Sequence, residues 1–220
     1  MTAPQQPHGP LRSFGRIKSR PIKPRQAALL ETLLPKIAFD PAEPLAGETW
    51  LEIGFGGGEH LAAQAVRHPQ VRIIGAEPFV NGVASALRHI EEAGAQNVRL
   101  HQGDAREIVA ALPDASLARI FILFPDPWPK ARHNKRRLVQ PQIVAELARV
   151  LKPGGRLRFA TDVADYANRA LEAFLGCPDL RWPAERAEDW RVPPADHVTT
   201  RYEEKRLGDC APVFLDFERV

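Results

Sequence analysis

Asp126 stands between two prolines in the run Phe124-Pro125-Asp126-Pro127-Trp128-Pro129-Lys130, and Arg132, His133, Asn134, Lys135, Arg136 and Arg137 follow directly. The apolar residues 120–124 read as a buried strand that Pro125 ends. Proline fixes its own φ and restricts the residue before it, so the carboxylate is held at the strand's exit with little freedom. A fixed acid, then a flat ring, then a cluster of cations is the set of groups that chemistry on a nucleobase requires. The same letters also suit a proline-rich turn with a solvated charge run behind it, since proline clusters mark loops more often than active sites.

Three other places carry groups suited to a ligand. In Glu52-Ile53-Gly54-Phe55-Gly56-Gly57-Gly58-Glu59, the glycines let the backbone turn sharply and approach a ligand with no Cβ in the way. A dinucleotide fingerprint beginning at Gly54 wants glycine where Glu59 stands. The fit is instead G-x-G-x-G, which suits a site with no pyrophosphate to cradle. Glu77 follows about 20 residues later, where an acid can accept from both hydroxyls of a ribose. Asp104, in Gly103-Asp104-Ala105, is placed to meet an adenine edge. Either acid could also be an ordinary helix N-cap, and for Asp104 alone that is the simpler reading. Three successive strand ends carrying glycine loop, acid and acid are harder to explain as caps. This order resembles the class I S-adenosylmethionine-dependent methyltransferases and favours S-adenosyl-L-methionine over NAD.

The elements that must position these groups alternate. Strands are predicted over residues 50–54, 71–76, 98–102, 119–124 and 156–161. Helices are predicted over 26–36, from 60 to 67, over 80–93 and over 138–151, the last closed by Lys152-Pro153-Gly154-Gly155. Such alternation implies an α/β domain with right-handed crossovers and a mostly parallel sheet covered on both faces. Residues 213–217 alternate like a final, antiparallel strand. Residues 1–24, rich in Pro, Gln, Gly and Arg, read as a basic arm that is disordered without a partner, and residues 25–220 as one domain.

Composition bounds the class. The chain has 220 residues, 44% of them hydrophobic, enough for one full core. No apolar stretch approaches the roughly 20 residues of a membrane helix, and the start, Met1-Thr2-Ala3-Pro4, does not read as a secretory signal. Cys177 and Cys210 form no Cys-x-x-Cys pair, and the seven histidines show no ligand spacing. A disulfide framework and a metal site are therefore poorly supported, and a cytoplasmic setting fits best. Net charge is +3, but eleven of the 30 Lys and Arg residues lie in two acid-free segments. One holds Arg12, Arg16, Lys18, Arg20, Lys23 and Arg25, and the other Lys130, Arg132, Lys135, Arg136 and Arg137. Two cationic segments on an otherwise acidic body suggest a polyanionic partner, although basic tails also serve solubility.

Leu51-Glu52-Ile53-Gly54-Phe55-Gly56, the proline–tryptophan run, His133-Asn134-Lys135-Arg136-Arg137, Ala160-Thr161-Asp162 and Thr200-Arg201-Tyr202-Glu203 together resemble the bacterial tRNA (guanine-N7-)-methyltransferase family. The resemblance runs from around residue 14 to the C-terminus. It implies a Rossmann-like class I methyltransferase domain with a seven-stranded sheet. It also implies methyl transfer from S-adenosyl-L-methionine to N7 of the tRNA variable-loop guanine conventionally numbered 46. Carried over by position, Glu52, Gly54, Gly56, Glu77, Asp104 and Asp126 would line the cofactor, with Asp126 catalytic. Lys130, Arg132, His133, Asn134, Lys135, Arg136, Arg137, Asp162, Thr200, Arg201, Tyr202 and Glu203 would face tRNA, and no metal or obligate protein partner is implied. Ala131 departs from the pattern, where another basic residue is expected. Trp128 would either stack on the target base or pack under the loop. Two rivals remain: another S-adenosylmethionine-dependent enzyme acting on RNA or on amines, and a catalytically silent RNA-binding relative. The first leaves the arginine run unexplained, and the second would tolerate loss of Asp126 or the glycine loop, which are both intact.

Overall fold

Alternation within the strands decides how this chain packs. In each of the pairs Trp50/Leu51, Ile73/Ile74 and Ile120/Phe121, successive side chains point to opposite faces of a sheet and both are buried. The computed structural model describes residues 21–220. Its seven strands are β1 Thr49–Ile53, β2 Arg72–Ala76, β3 Val98–His101, β4 Leu117–Leu123, β5 Leu151–Thr161, β6 Leu180–Arg181 and β7 Val213–Arg219. They form one sheet in the order β3-β2-β1-β4-β5-β7-β6. The first five run parallel, and β7 lies antiparallel between β5 and β6, as its alternation predicts. All five residues of β1 are buried, as expected of a strand covered on both sides.

One face carries Trp50, Ile73, Phe121 and Phe214 against α1 Pro24–Thr32, α2 Leu34–Ile37, α3 Glu59–Arg67 and α4 Val80–Ala93. The other carries Leu51, Ile74, Ile120 and Phe159 against α5 Ala105–Ala111, α6 Pro141–Val150 and α7 Ala164–Leu175. There Phe159, Tyr166, Phe174 and Phe217 form a chain of ring contacts at 5.2, 6.0 and 4.7 Å, each ring contributing about 1.5–3 kcal/mol through burial. Two short helices, α8 Glu188–Arg191 and α9 Arg201–Glu204, lie in the long connection from β6 to β7. Among the described residues no helix is long and apolar enough to cross a membrane.

The connection from β6 to β7 crosses the first face at Asp196. Arg119 on β4 and Arg158 on β5 reach its carboxylate at 2.7 and 2.6 Å, and Asp216 on β7 accepts from Arg158 at 2.7 Å. Burial works against the charge on Asp196, but the hydrogen bonds and charges of Arg158 and Arg119 prevail and hold its carboxyl down to about 2.

Several boundaries differ from those the sequence suggests. The predicted helix over 26–36 is two helices, broken at Leu33 because Pro35 cannot continue the hydrogen-bond ladder of α1. The helix predicted from residue 138 begins at Pro141, a favoured first position for proline. β5 starts at Leu151, not 156, and runs through Lys152-Pro153-Gly154-Gly155 with an irregular register against Leu117 and Arg119. α5, α7, β6, α8 and α9 have no counterpart in the sequence reading. The disorder expected of residues 1–24 falls mostly outside the described residues, and within them Pro24 already opens α1.

Candidate active site

The order of the sheet reverses between β1 and β4, and a cleft of about 600 Å³ opens there at the C-terminal strand ends. Glu52, Gly54, Gly56, Glu77, Asp104 and Asp126, predicted from four separate strand ends, all line it. Gly56 has φ +52°, a left-handed conformation that a side chain would strain. A Cβ at Gly82, in the first turn of α4, would meet the Gly56 carbonyl oxygen at 2.5 Å. Gly82 therefore lets α4 close on the glycine loop, and the sequence reading did not single it out.

Glu77 is buried at the end of β2. Its carboxylate accepts from the backbone N–H groups of Gly56 and Phe79, both at 2.9 Å. Burial raises its pKa, the two N–H groups oppose that, and the charge of Asp126 adds to the rise. Glu52, at the end of β1, is buried against His60, whose Nδ1 lies 2.8 Å from Oε2. Asp104 is indeed the N-cap of α5, accepting from the Arg106 backbone N–H at 2.9 Å. Its two oxygens also take a bidentate fork from the Arg106 side chain at 2.9 and 2.5 Å. Burial pushes its pKa up, but the bonds and charge of Arg106 outweigh this and hold the carboxyl below its ordinary value.

The loop carrying Asp126 is held at both ends. Phe124 donates its N–H to the Ala160 carbonyl at 2.8 Å, and Arg137 donates Nε–H to the Pro127 carbonyl at 2.7 Å. Phe124 and Trp128 have φ +50° and +43°, conformations that bulky residues rarely adopt and that cluster at functional sites. The Arg136 guanidinium lies 5.1 Å from the centre of the Trp128 ring, and His133 meets that ring edge-on at 5.9 Å. Partial covering and then the cations Arg136, Arg132, Lys130 and Lys135 hold the His133 pKa below its usual value.

The residues expected to face RNA divide into two kinds. Lys130, Arg132 and Lys135 are exposed, and His133, Asn134 and Arg136 are half-buried on the 3₁₀ turn Ala131–Arg136. Arg137 departs from the expectation of an RNA-facing cation. Its side chain is 2% exposed, paired with Asp165 at 2.6 Å and laid over the Tyr166 ring at 4.8 Å. Thr200 and Glu203 form a capping box at the start of α9, and Glu203 also meets His197 at 2.7 Å. Asp162 is buried beside Tyr202, whose hydroxyl pKa is raised by burial and then by the charges of Asp162 and Asp126, while Tyr202 packs on Phe124 with ring centres 5.8 Å apart. Arg201 is exposed at the cleft's mouth, 3.8 Å from Glu59 of the glycine loop.

A family model described as "Putative methyltransferase" matches residues 46–214. The tRNA (guanine-N(7)-)-methyltransferase of Caulobacter sp. (strain K31) is 68% identical over 227 residues, covering 100% of both chains. That of Caulobacter vibrioides (strain NA1000 / CB15N) is 67% identical over 226 residues, again covering 100% of each. The chain belongs to the tRNA (guanine-N7-)-methyltransferase family. A solved 16S rRNA (adenine(1408)-N(1))-methyltransferase from Catenulisporales acidiphilia, 19% identical, superposes with a TM-score of 0.55 over 83% of this chain and 93% of that one. At that identity the likeness is one of fold, and it places the seven-stranded sheet among Rossmann-like methyltransferases. In this member of the tRNA (guanine-N7-)-methyltransferase family, Lys205 also lines the cleft, as Lys135 and Arg136 do. Its signal was available as a cation just beyond Thr200-Arg201-Tyr202-Glu203.

Proposed function

We propose that this protein transfers a methyl group from S-adenosyl-L-methionine to N7 of guanine 46 in the variable loop of tRNA, in the cytoplasm. Residues 25–220 act as the catalytic domain, and residues 1–24 as a basic arm on the RNA. The observation that carries the reading is one cleft in which buried acids on strand ends meet an exposed basic rim, with Asp126 between them. The cleft's donor set suits the cofactor. Each Glu77 oxygen accepts one backbone N–H and keeps a lone pair for a ribose hydroxyl. The glycine loop leaves open space, with nothing within 4 Å of where a Cβ would stand at Gly54 or Gly56.

When bound, S-adenosyl-L-methionine supplies an electrophilic methyl group on a positively charged sulfur. Guanine N7 offers an in-plane lone pair and no proton, so the chain needs neither a strong base nor a metal. Its residues hold the two reactants in line, which contributes several kcal/mol in well-aligned systems (up to roughly 7–11). As the methyl moves, positive charge passes to the guanine ring, and the Asp126 carboxylate stabilises it there. Asp126 also has acceptors for the base's N1–H and amino group. A base in the folded core of tRNA reaches this loop by local opening.

Two tests belong here. Because the Glu77 pKa is raised, falling pH protonates it before an ordinary carboxylate near about 4.3 would take up a proton. Cofactor affinity, measured by calorimetry across mildly acidic pH, therefore declines on an acid limb set by this group. Glu77→Gln flattens the limb at a lower plateau. If the limb persists in Glu77→Gln, another group controls it.

Neutralising Arg132 and Lys135 lowers the salt dependence of tRNA binding by about 0.7–0.9 in log–log slope per lost phosphate contact. Arg137→Ala leaves that slope unchanged and lowers the melting temperature, because its guanidinium is buried in the protein. A slope change in Arg137→Ala would return that side chain to the RNA face.

The reading as a whole is tested by methylating unmodified tRNA with radiolabelled cofactor, then locating the label by nuclease digestion and nucleoside analysis. N7-methylguanosine at position 46 is expected. Label on an exocyclic amine would replace this reading with another S-adenosylmethionine-dependent activity, and no label at all would favour a silent RNA-binding relative.

A further inference from the structure

The buried polar groups beneath the cofactor side of the cleft form a single line. His60 and Gln64, one turn apart on α3, are each 1% exposed, and Glu52 is 2% exposed. His60 Nδ1 lies 2.8 Å from Glu52 Oε2. Gln64 Nε2 lies 3.1 Å from His60 Nε2 and 2.8 Å from the backbone oxygen of Asp196. A backbone carbonyl can only accept, so it fixes the Gln64 amide with its NH2 toward both neighbours. His60 Nε2 must then accept, and the ring proton sits on Nδ1, donated to Glu52.

The opposite amide orientation would set Gln64 Oε1 against the Asp196 carbonyl oxygen. As it stands, Oε1 is buried without a hydrogen-bond partner in the protein, a cost tolerated to keep this orientation. Phe121 meets the His60 ring edge-on at 4.8 Å, and His197 lies 6.5 Å away. The Asp196 carbonyl is itself well held. Arg67 donates to it at 2.8 Å, while Arg119 and Arg158 grip the side chain.

We propose that His60 is a positioning residue for the cofactor, its tautomer set by the Asp196 backbone through Gln64 so that its Nδ1–H holds Glu52 at the floor of the cleft. The inference rests on the cofactor reading given above and adds a connection between the cleft's two sides. Asp196 immediately precedes His197, which pairs with Glu203, and the same segment runs on to Thr200, which caps α9. The floor of the cleft is thus joined to the segment that leads into α9 through one carbonyl, one amide and one imidazole.

The first test is spectroscopic. Nitrogen-15 spectra of the imidazoles in the wild-type protein should show one buried neutral ring, protonated at Nδ1 and altered by Gln64→Met. A His60 ring protonated at Nε2, or at both nitrogens, overturns the proposal. The second is calorimetric titration of S-adenosyl-L-methionine into wild type, Gln64→Met, Asp196→Ala and the double variant, with thermal melts as the check on folding. Each single change should weaken binding roughly three- to tenfold, the scale of one net hydrogen bond. The double variant should be no weaker than the worse single one, because both act through the same link. Unchanged affinity in Gln64→Met, or losses that simply multiply, would show that the line only packs the core. A wild-type protein that binds no cofactor would remove the functional reading itself and this inference with it, a result distinct from variants that bind normally.

Discussion

Asp126→Ala should lower the single-turnover methylation rate by about 10²–10³-fold, at saturating tRNA and cofactor, while tRNA binding falls far less. The carboxylate acts on charge that appears only as the methyl moves, so its loss falls on the rate and not on the ground-state complex. Its field crosses the cleft. It contributes to the raised pKa of Glu77 and of Tyr202, behind the larger effect of burial at each. Asp126→Asn keeps the shape and one acceptor but not the charge, and should be nearly as slow as Asp126→Ala. Asparagine activity close to wild type would instead assign the effect to hydrogen-bonded orientation of the base. The backbone bond from Phe124 to Ala160 and the bond from Arg137 to Pro127 hold the loop in both variants, and a melting profile checks that each stays folded. A wild-type rate in Asp126→Ala would leave this loop a structural turn and move the catalytic role elsewhere.

The second large effect is expected at Glu77. Glu77→Ala should weaken S-adenosyl-L-methionine binding by about 1.5–3 kcal/mol, the range for hydrogen bonds to a charged group. That corresponds to roughly a 10- to 150-fold rise in Kd. Glu77 also fastens the glycine loop through the Gly56 N–H and the start of α4 through the Phe79 N–H. The alanine variant therefore loses the ribose acceptor and the tether of the loop together, which argues for the upper part of the range. Calorimetry on a variant with an unaltered melting profile checks this, and unchanged affinity there would remove Glu77 from the cofactor site.

Much of this site is legible in the letters because strand ends are. A glycine loop, an acid after β2 and an acid after β3 occur in an order that only a parallel sheet brings to one edge, and all of them line the cleft. Asp104 illustrates how a capping residue need not be remote from a site, since it caps α5 and also lines the cleft. Arg137 was illegible for a different reason. In sequence it is one more cation in a run. Its side chain turns inward because the 3₁₀ turn ends at Arg136, Arg137 is extended, and Asp165 waits on α7, 28 residues away. The capping box at Thr200 and Glu203 was available as a Thr-x-x-Glu pattern, but an RNA-facing reading overshadowed it. α7 buries Tyr166, Ala170 and Phe174 at helical spacing, a stripe present in the sequence and hidden among its charged neighbours.

The two left-handed residues flanking the Asp126 turn carry a consequence for how such a protein can change. Each costs on the order of 1–3 kcal/mol relative to a relaxed backbone. At Phe124 the loss is offset by a ring packed on Tyr202 and Phe214. At Trp128 the ring is half-buried and lies against Arg136 and His133. Glycine or asparagine at 128 would release backbone strain, at the cost of the ring's contacts with Arg136 and His133, and would loosen the turn that aims the carboxylate. A change at 128 that leaves the melting temperature in place yet slows methylation would show that the strained turn serves the aim of the carboxylate and not the endurance of the fold.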